Sequence, residues 1–231
     1  ATAALFYGGI PIFADIDPKR YTICPKSIES KITKYTKAIV VVHLFGLPAD
    51  MDEIMKIARK YNIKVIEDAA QSPGAYYKGR PVGTIGDIGG FSLNFHKHIQ
   101  TGEGGLLVTN DEEIALRCRL IRNHGENAAE EYGIENYSNI IGGNYRYTEL
   151  LAAIASEQFK KLEPILDHRK KMGAYLSKAL QGINGFTLPV EEKETLNCFY
   201  MYPIKFDQKL FGLSRNVFVQ AVSAELPPAK Y

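Results

Sequence analysis

A buried strand, an amphipathic helix and a second buried strand follow one another closely in this chain, and that succession leaves few folds open. Residues 37–44 (Lys-Ala-Ile-Val-Val-Val-His-Leu) form a continuous apolar run bounded by polar chain. Such runs suit strands of a parallel sheet covered on both faces. Asp50 then stands where it can cap a helix in which Ile54, Ile57 and Ala58 recur at helical spacing, with lysines and Arg59 on the other side. Residues 64–68 read as a second short strand that ends on two carboxylates, Glu67 and Asp68. The alternation predicts an α/β fold. In such sheets ligands gather at the carboxyl ends of the strands, so Asp68 is well placed, and the glycine-rich stretch 74–90 is expected to wrap the same edge.

The remaining chain divides by the same signals. Residues 1–7 read as the end of a helix stopped at Gly8-Gly9, and 10–17 as a strand with Pro11 near its start. A helix is expected around 27–32, and a strand over 105–109. Asn110 or Asp111 can cap a helix carrying Ile114, Cys118 and Ile121 and closing at Gly125. Residues 126–147, polar and rich in glycine and asparagine, read as a long functional loop. A helix starts at Thr148, Pro164 breaks or kinks it, and a second one ends near Gly182. Residues 199–206 read as a strand of different character, followed by a helix over 215–224. The expected organisation is a large domain over 1–165 and the start of a smaller α+β domain over 166–231.

Charge narrows the function classes. The 28 basic and 26 acidic residues nearly cancel, which gives no electrostatic footprint for nucleic acid or an anionic membrane. No apolar run approaches the ~20 residues of a membrane span. Cys24, Cys118 and Cys198 are odd in number and far apart, which fits free thiols in a reducing compartment, the cytoplasm, and neither a disulfide framework nor a zinc site.

The candidate chemistry lies in residues 91–105, where Lys97 stands between two apolar, strand-like runs. Ser92 precedes it by five residues and Gly102-Glu103-Gly104-Gly105 follows. A lysine among aromatics, histidines and a glycine-rich turn is not on an ordinary surface helix, and it reads as a covalent catalyst. Unperturbed, a lysine holds its proton to pH ~10.4, so a catalytic one needs an environment or a chemistry that favours the neutral amine. Condensation with an aldehyde cofactor meets that need. Pyridoxal phosphate, the commonest such aldehyde, asks for a lysine, a carboxylate against its ring nitrogen and donors around its phosphate. Asp68 and Ser92 can supply the last two. The plainer readings are a solvated loop lysine and turn-forming acids. His96 and His98 flank Lys97, but no carboxylate or cysteine lies at ligand spacing, so a metal is not expected. His43, after a buried strand, reads as a satisfied core histidine.

The motifs then join into one pattern. Glu67-Asp68-Ala69-Ala70-Gln71, Gly83, Gly86-Asp87, Phe91-Ser92, Lys97 and Gly102-Glu103-Gly104-Gly105 are followed by Arg122-Asn123-His124-Gly125 and Gly143-Asn144-Tyr145-Arg146. In this order the sequence resembles, along essentially its whole length, the sugar aminotransferases of the DegT–StrS type. These are fold-type-I pyridoxal-phosphate enzymes that aminate keto sugars.

The resemblance implies a mixed, mostly parallel sheet flanked by helices, with pyridoxal 5′-phosphate as cofactor. It implies Lys97 as the lysine that holds the cofactor and shuttles protons, and Asp68 as the partner of the ring nitrogen. Gln71 would pack against the ring or its 3-oxygen, and Ser92 would bind the phosphate. Asn144 would reach the phosphate of a neighbouring subunit, making a homodimer part of the site. Arg146 and His96 are the substrate candidates, the arginine for a carboxylate or phosphate. The expected substrates are a keto sugar, nucleotide-linked or a related cyclic polyol, and glutamate as amino donor. In the dehydratase branch of the family a histidine takes the position five residues after the serine, where this chain has Lys97. A dehydratase and a non-catalytic regulator on the same fold are the alternative readings. The family also carries an earlier phosphate loop and a ring-stacking aromatic, which would precede Ala1, and a C-terminal portion that would follow Tyr231, so the chain is expected to be part of a longer protein.

Overall fold

The computed structural model describes residues 2–125, 140–190 and 192–227. The first part of the chain runs α1 (Thr2–Phe6), α2 (Pro25–Lys31), β1 (Ala38–Val42), α3 (Met51–Tyr61), β2 (Lys64–Asp68), β3 (Tyr76–Tyr77), β4 (Arg80–Pro81), β5 (Ile88–Ser92) and β6 (Gly105–Val108). It continues α4 (Glu112–Arg122), α5 (Glu149–Phe159), α6 (Leu162–Leu180), β7 (Phe186–Thr187), β8 (Thr195–Leu196), β9 (Lys205–Phe206), α7 (Gln208–Phe211) and α8 (Arg215–Glu225). The central sheet has four strands in the order β1-β2-β5-β6. β1, β2 and β5 are parallel, and β6 returns antiparallel along β5. This is the mixed, mostly parallel α/β architecture expected from the alternation.

The sheet is covered differently from the expectation for the apolar run. In β1 and β2 alternate residues Ile39, Val41, Val65 and Glu67 are buried, whereas Val40 and Ile66 on the opposite face are 54% and 37% exposed. The buried face packs on α3, where Met51, Ile54, Ile57 and Ala58 form the inward stripe. The ends of α3 are set by charge and by backbone geometry. Asp52 and Glu53 lie in its first turn, Arg59 and Lys60 in its last, and Asn62 closes it in the left-handed conformation. Asp50 occupies its N-cap position, with its carbonyl accepting the Ile54 amide at 3.1 Å, but its side chain makes no capping bond: the carboxylate accepts the Tyr77 hydroxyl at 2.8 Å. Asp111 and Thr148 do cap α4 and α5 through Ile114 and Leu151 backbone N–H groups.

Three further expectations change. Residues 10–17 contribute only an isolated bridge, Ile16 with Ile23, because Asp15 bonds outward to Ser27 and the Cys24 amide and finds no neighbouring strand. The 74–90 stretch is not a plain loop: β3 and β4 form a hairpin through Lys78 and Gly79, both at positive φ. In 199–206 only Lys205–Phe206 is strand, paired with β7. Phe199, at φ 48, turns the preceding chain away, and Pro203 has no N–H to give a ladder. Of the expected functional loop, 126–139 lies outside the described residues.

After α5 the chain re-enters the first core before leaving it. Leu162 and Leu166 of α6 pack in one cluster with Ile54 and Val65, and β8 adds to the β3–β4 hairpin. A separate aromatic cluster, Phe186, Phe206, Phe211 and Phe218, joins β7, β9, α7 and α8, with ring centroids as close as 4.6 Å. No helix among the described residues is long and apolar enough to cross a membrane. Leu166, 1% exposed, fits against Gly74 so closely that a Cβ there would stand 2.2 Å from its Cδ1. Leu166→Ala is therefore expected to destabilise the protein by about 2–5 kcal/mol. Leu150→Ala, at a position 79% exposed, should stay within about 0.5 kcal/mol in the same urea titration.

Candidate active site

The two carboxylates that end β2 point to opposite sides, as strand alternation requires. Glu67 faces inward with Val65 and is fully buried. Its Oε2 accepts His43 Nε2–H at 2.9 Å and the Gly83 amide at 2.8 Å, and its Oε1 accepts the Ile85 and Gly86 amides at 2.6 Å each. The Ala49 amide donates to His43 Nδ1 at 3.0 Å, so that nitrogen is bare and the network assigns the proton to Nε2. A neutral imidazole thus meets an ionised carboxylate. Burial pushes the Glu67 carboxyl upward, but the bonds from His43, Gly86 and Gly83 outweigh it and hold the group below the ordinary carboxylate range. His43 is the satisfied core histidine expected. Its partner was missed, although the spacing Val65–Glu67 was the available signal.

Asp68 faces the other way, on the side of Ile66. The register sets it beside Gly90, two residues before Ser92, so Asp68 and Ser92 share one face of the sheet. Among the described residues Asp68 Oδ1 accepts the Ala70 amide at 3.1 Å and Oδ2 accepts nothing. Ser92 Oγ accepts the Asn94 amide at 3.2 Å, which leaves its own proton to donate. Gln71 Oε1 accepts the Phe45 amide at 2.7 Å, leaving its NH₂ uncommitted. Between β5 and β6 the chain closes a tight loop through Leu93 N–H to Gly104 O, Phe95 N–H to Gly102 O and Lys97 N–H to Asn94 O. Gly104, at φ 150, has no room for a side chain, since a Cβ would lie 2.5 Å from the Tyr147 ring.

Lys97 projects from this loop, half-buried, and its Nζ makes no hydrogen bond or ion pair among the described residues. It lies over the Tyr200 ring, 4.9 Å from the centroid. Burial lowers its pKa from the ordinary lysine value, and the charge of Asp68 partly opposes that. The site therefore favours a more nucleophilic amine within the field of a carboxylate that it does not touch.

Other expected residues stay apart from this pair. Asn144 and Arg146 bond one another, Arg146 Nε donating to Asn144 Oδ1 at 3.0 Å, and Arg146 Nη1 donates to Asn123 Oδ1 at 3.1 Å. Their link to the lysine loop is the next residue, Tyr147, whose hydroxyl meets Thr101 Oγ1 at 2.5 Å. His96 is exposed and lies against Phe95, with ring centroids 3.7 Å apart. Neither Arg146 nor His96 touches Lys97 or Asp68 among the described contacts.

Tyr200 is the site residue that the sequence reading missed. It arrives on residues 197–202, which dock against the first half of the chain. Cys198 N–H donates to Gly46 O, Met201 N–H to Phe45 O, and Arg169 Nη1 to the carbonyls of Phe199 and Tyr200. Phe199 is held left-handed at φ 48, a conformation costing about 1–2 kcal/mol for a residue with a Cβ. A groove of about 760 Å³ runs between α6 and this segment, past Lys161, His168, Arg169, Met172 and Tyr202. Tyr200 is common to the groove and to the lysine site.

His98, next to Lys97, gives the site a measurable pH signature. It is 6% exposed, donates from Nε2 to Cys198 O at 3.3 Å, and has a buried Nδ1 with no partner. Burial, then the charge of Arg169, depress its pKa to about 4. An unfolded histidine protonates near pH 6.5, so the neutral folded form adds stability that is complete above that pH. As pH falls from about 6.5 to about 4 the unfolded state takes a proton that the folded state refuses, and stability drops. His98→Gln is expected to flatten that limb of a urea-midpoint-against-pH curve. The steeper loss below it, as Glu67 protonates, should remain.

Known proteins share the sequence pattern and the fold. The GDP-perosamine synthase of Caulobacter vibrioides is 36% identical over 211 residues, which cover 91% of this chain and 56% of that enzyme. The structure of DesI with its TDP-sugar product superposes with a TM-score of 0.87 at 28% identity, over 97% of this chain and 56% of DesI. The Escherichia coli GDP-4-keto-6-deoxy-D-mannose-3-dehydratase, solved with bound hydrated PLP, gives 0.81 at 29% identity, over 92% and 57%. The chain thus spans little more than half the length of these relatives. Residues 1–226 match the family model itself, and the chain belongs to the DegT/DnrJ/EryC1/StrS aminotransferase family.

Proposed function

We propose that this chain is the cofactor-binding part of a pyridoxal-phosphate-dependent aminotransferase that converts a keto sugar, carried on a nucleotide, to an amino sugar, with glutamate as donor. The observation that carries the reading is the uncommitted amine of Lys97, half-buried and in the field of Asp68. The residues fit the cofactor: a free amine to condense with its aldehyde, an open carboxylate oxygen on Asp68 for the ring nitrogen, and a free hydroxyl proton on Ser92 for the phosphate. Gln71, with its NH₂ uncommitted, is the candidate for the ring or its 3-oxygen. When bound, the cofactor supplies an electron sink for the carbon whose proton is removed.

The protein's own part is proton handling and placement. The Lys97 amine would take the proton from the donor carbon and return one to the carbon aminated in the sugar, a role worth about 10²–10⁴ in rate. Asp68 would accept the proton-bearing ring nitrogen and hold that proton in place. Asn144 and Arg146 belong to a homodimeric site in this reading, serving the neighbouring subunit's phosphate and a substrate carboxylate or phosphate, with His96 as a further substrate candidate. The setting is the cytoplasm. A dehydratase shares the scaffold, as the Escherichia coli enzyme shows by its TM-score of 0.81. The side chain at position 97 separates the two, and a lysine there speaks for transamination.

Borohydride reduction of the intact, cofactor-loaded protein should fix the cofactor mass on the Lys97 peptide, and Lys97→Ala should lose that adduct. With glutamate and a panel of keto-sugar nucleotides, product masses should show an amine replacing a carbonyl oxygen. Turnover should fall at least about a hundredfold in Lys97→Ala. An adduct that persists in Lys97→Ala would sink the covalent role, and loss of a sugar hydroxyl in place of amination would point to the dehydratase.

A further inference from the structure

Lys97 is held by a ring. Its Nζ has no hydrogen-bond or ion-pair partner among the described residues, yet it sits 4.9 Å above the centroid of Tyr200. An aromatic face attracts a cation and gains nothing comparable from a neutral amine. The contact therefore distinguishes between the states of the lysine in a way that ordinary packing does not.

Tyr200 is not there by accident of a flexible side chain. Its backbone is tied from four directions. Cys198 N–H reaches Gly46 O at 3.1 Å, and Met201 N–H reaches Phe45 O at 3.2 Å. Cys198 Sγ, fully buried, donates to Gln71 O at 3.3 Å. Arg169 spans the Phe199 and Tyr200 carbonyls at 3.0 and 3.2 Å. Two glycines leave space for nothing else: a Cβ on Gly46 would lie 2.7 Å from Cys198 Sγ and 2.9 Å from the Tyr200 nitrogen, and one on Gly173 would lie 2.8 Å from the Phe199 ring. The left-handed Phe199 between Cys198 and Tyr200 is a strained backbone that these contacts over-determine.

We propose that Tyr200 is a positioning residue for Lys97, its ring holding the free, protonated amine at a fixed point over the site between covalent attachments. The proposal rests on the role of Lys97 given above. One charged group acts on the amine besides the ring, and two more titratable or charged groups stand on the segments around it. Asp68, from the end of β2, favours the ammonium. His98, on the same loop, is neutral above about pH 4 and adds no charge at neutral pH. Arg169, from α6, is drawn to the two carbonyls and acts on His98. Burial works against the ammonium, so the ring and Asp68 together retain it without closing an ion pair that would have to be broken each cycle.

The test titrates the amine directly in the ligand-free, intact protein. Trace acylation at a series of pH values, read by mass spectrometry of the Lys97 peptide against an added free amine, gives its titration curve. Phe, monofluoro-, difluoro- and trifluorophenylalanine placed at position 200 keep the shape of the ring while draining its face of negative potential. The curve should move stepwise to lower pH as fluorines are added, with about a two- to fivefold gain in acylation at neutral pH across the series. Tyr200→Phe should match the native protein. A curve that does not move along the series overturns the proposal, as does a full shift already in Tyr200→Phe, which would assign the effect to the hydroxyl. Because no cofactor takes part, the result is separable from the borohydride experiment: the ring can hold an amine that never binds pyridoxal phosphate, and an amine that binds it can be indifferent to the ring.

Discussion

The buried Glu67 carboxylate is the interaction on which the arrangement of the site depends. A lone ionised carboxylate in a protein interior is costly, and this one is tolerable because four donors converge on it from two parts of the chain. One is the imidazole that follows β1, and the others are amides of the turn that leads into β5. Those two segments adjoin the strands that flank Asp68. The bonds on Glu67 thus fix the ends of neighbouring strands at the level where the functional face begins. Removing His43 would leave the charge underpaired in a dry setting, a class of change that costs about 3–5 kcal/mol.

Asp68 and Lys97 use the opposite strategy. Both are less buried than Glu67, neither closes an ion pair with the other, and each keeps capacity in reserve. The contrast separates the residues that build the edge of the sheet from those left available at it. Tyr200 belongs to a third category. It is supplied by a distant segment and reaches the lysine only because residues 197–202 are sewn to Phe45, Gly46 and Gln71. The lysine site is therefore built by two halves of the chain, although most of its polar groups come from one.

Much of this was readable in the residues. The apolar run at 37–44, the stripe Ile54, Ile57 and Ala58, and the strand at 64–68 yield the sheet and α3 because local periodicity decides them. Capping by Asp111 and Thr148 was readable for the same reason. Asp50 takes the N-cap position as read, but a hydroxyl from Tyr77 claims its carboxylate, and that contact joins positions far apart in sequence. The exposed face of β1 and β2 was misread because an apolar run reports that a strand can be covered on both sides, not that it is within these residues. Residues 199–206 carry aromatic and β-branched side chains that suit a strand, but the left-handed Phe199 and the grip of Arg169 override that propensity. Lys97, Asp68 and Ser92 were named from pattern and resemblance. Tyr200 had no local signal, since its meaning comes only from what it faces.

The adjacency of Glu67 and Asp68 carries a further consequence for how this chain can vary. Two consecutive acids serve opposite sides of one strand, so the number of residues between α3 and the end of β2 sets which of them faces which environment. Inserting or deleting a single residue in that connection would exchange them, sending the shorter acid toward His43 and the longer one toward the lysine. A substitution at either position damages one function, whereas a frame error of one residue damages both at once. The short path Asn62-Ile63 between α3 and β2 behaves as a ruler, and insertions are expected to accumulate elsewhere along the chain.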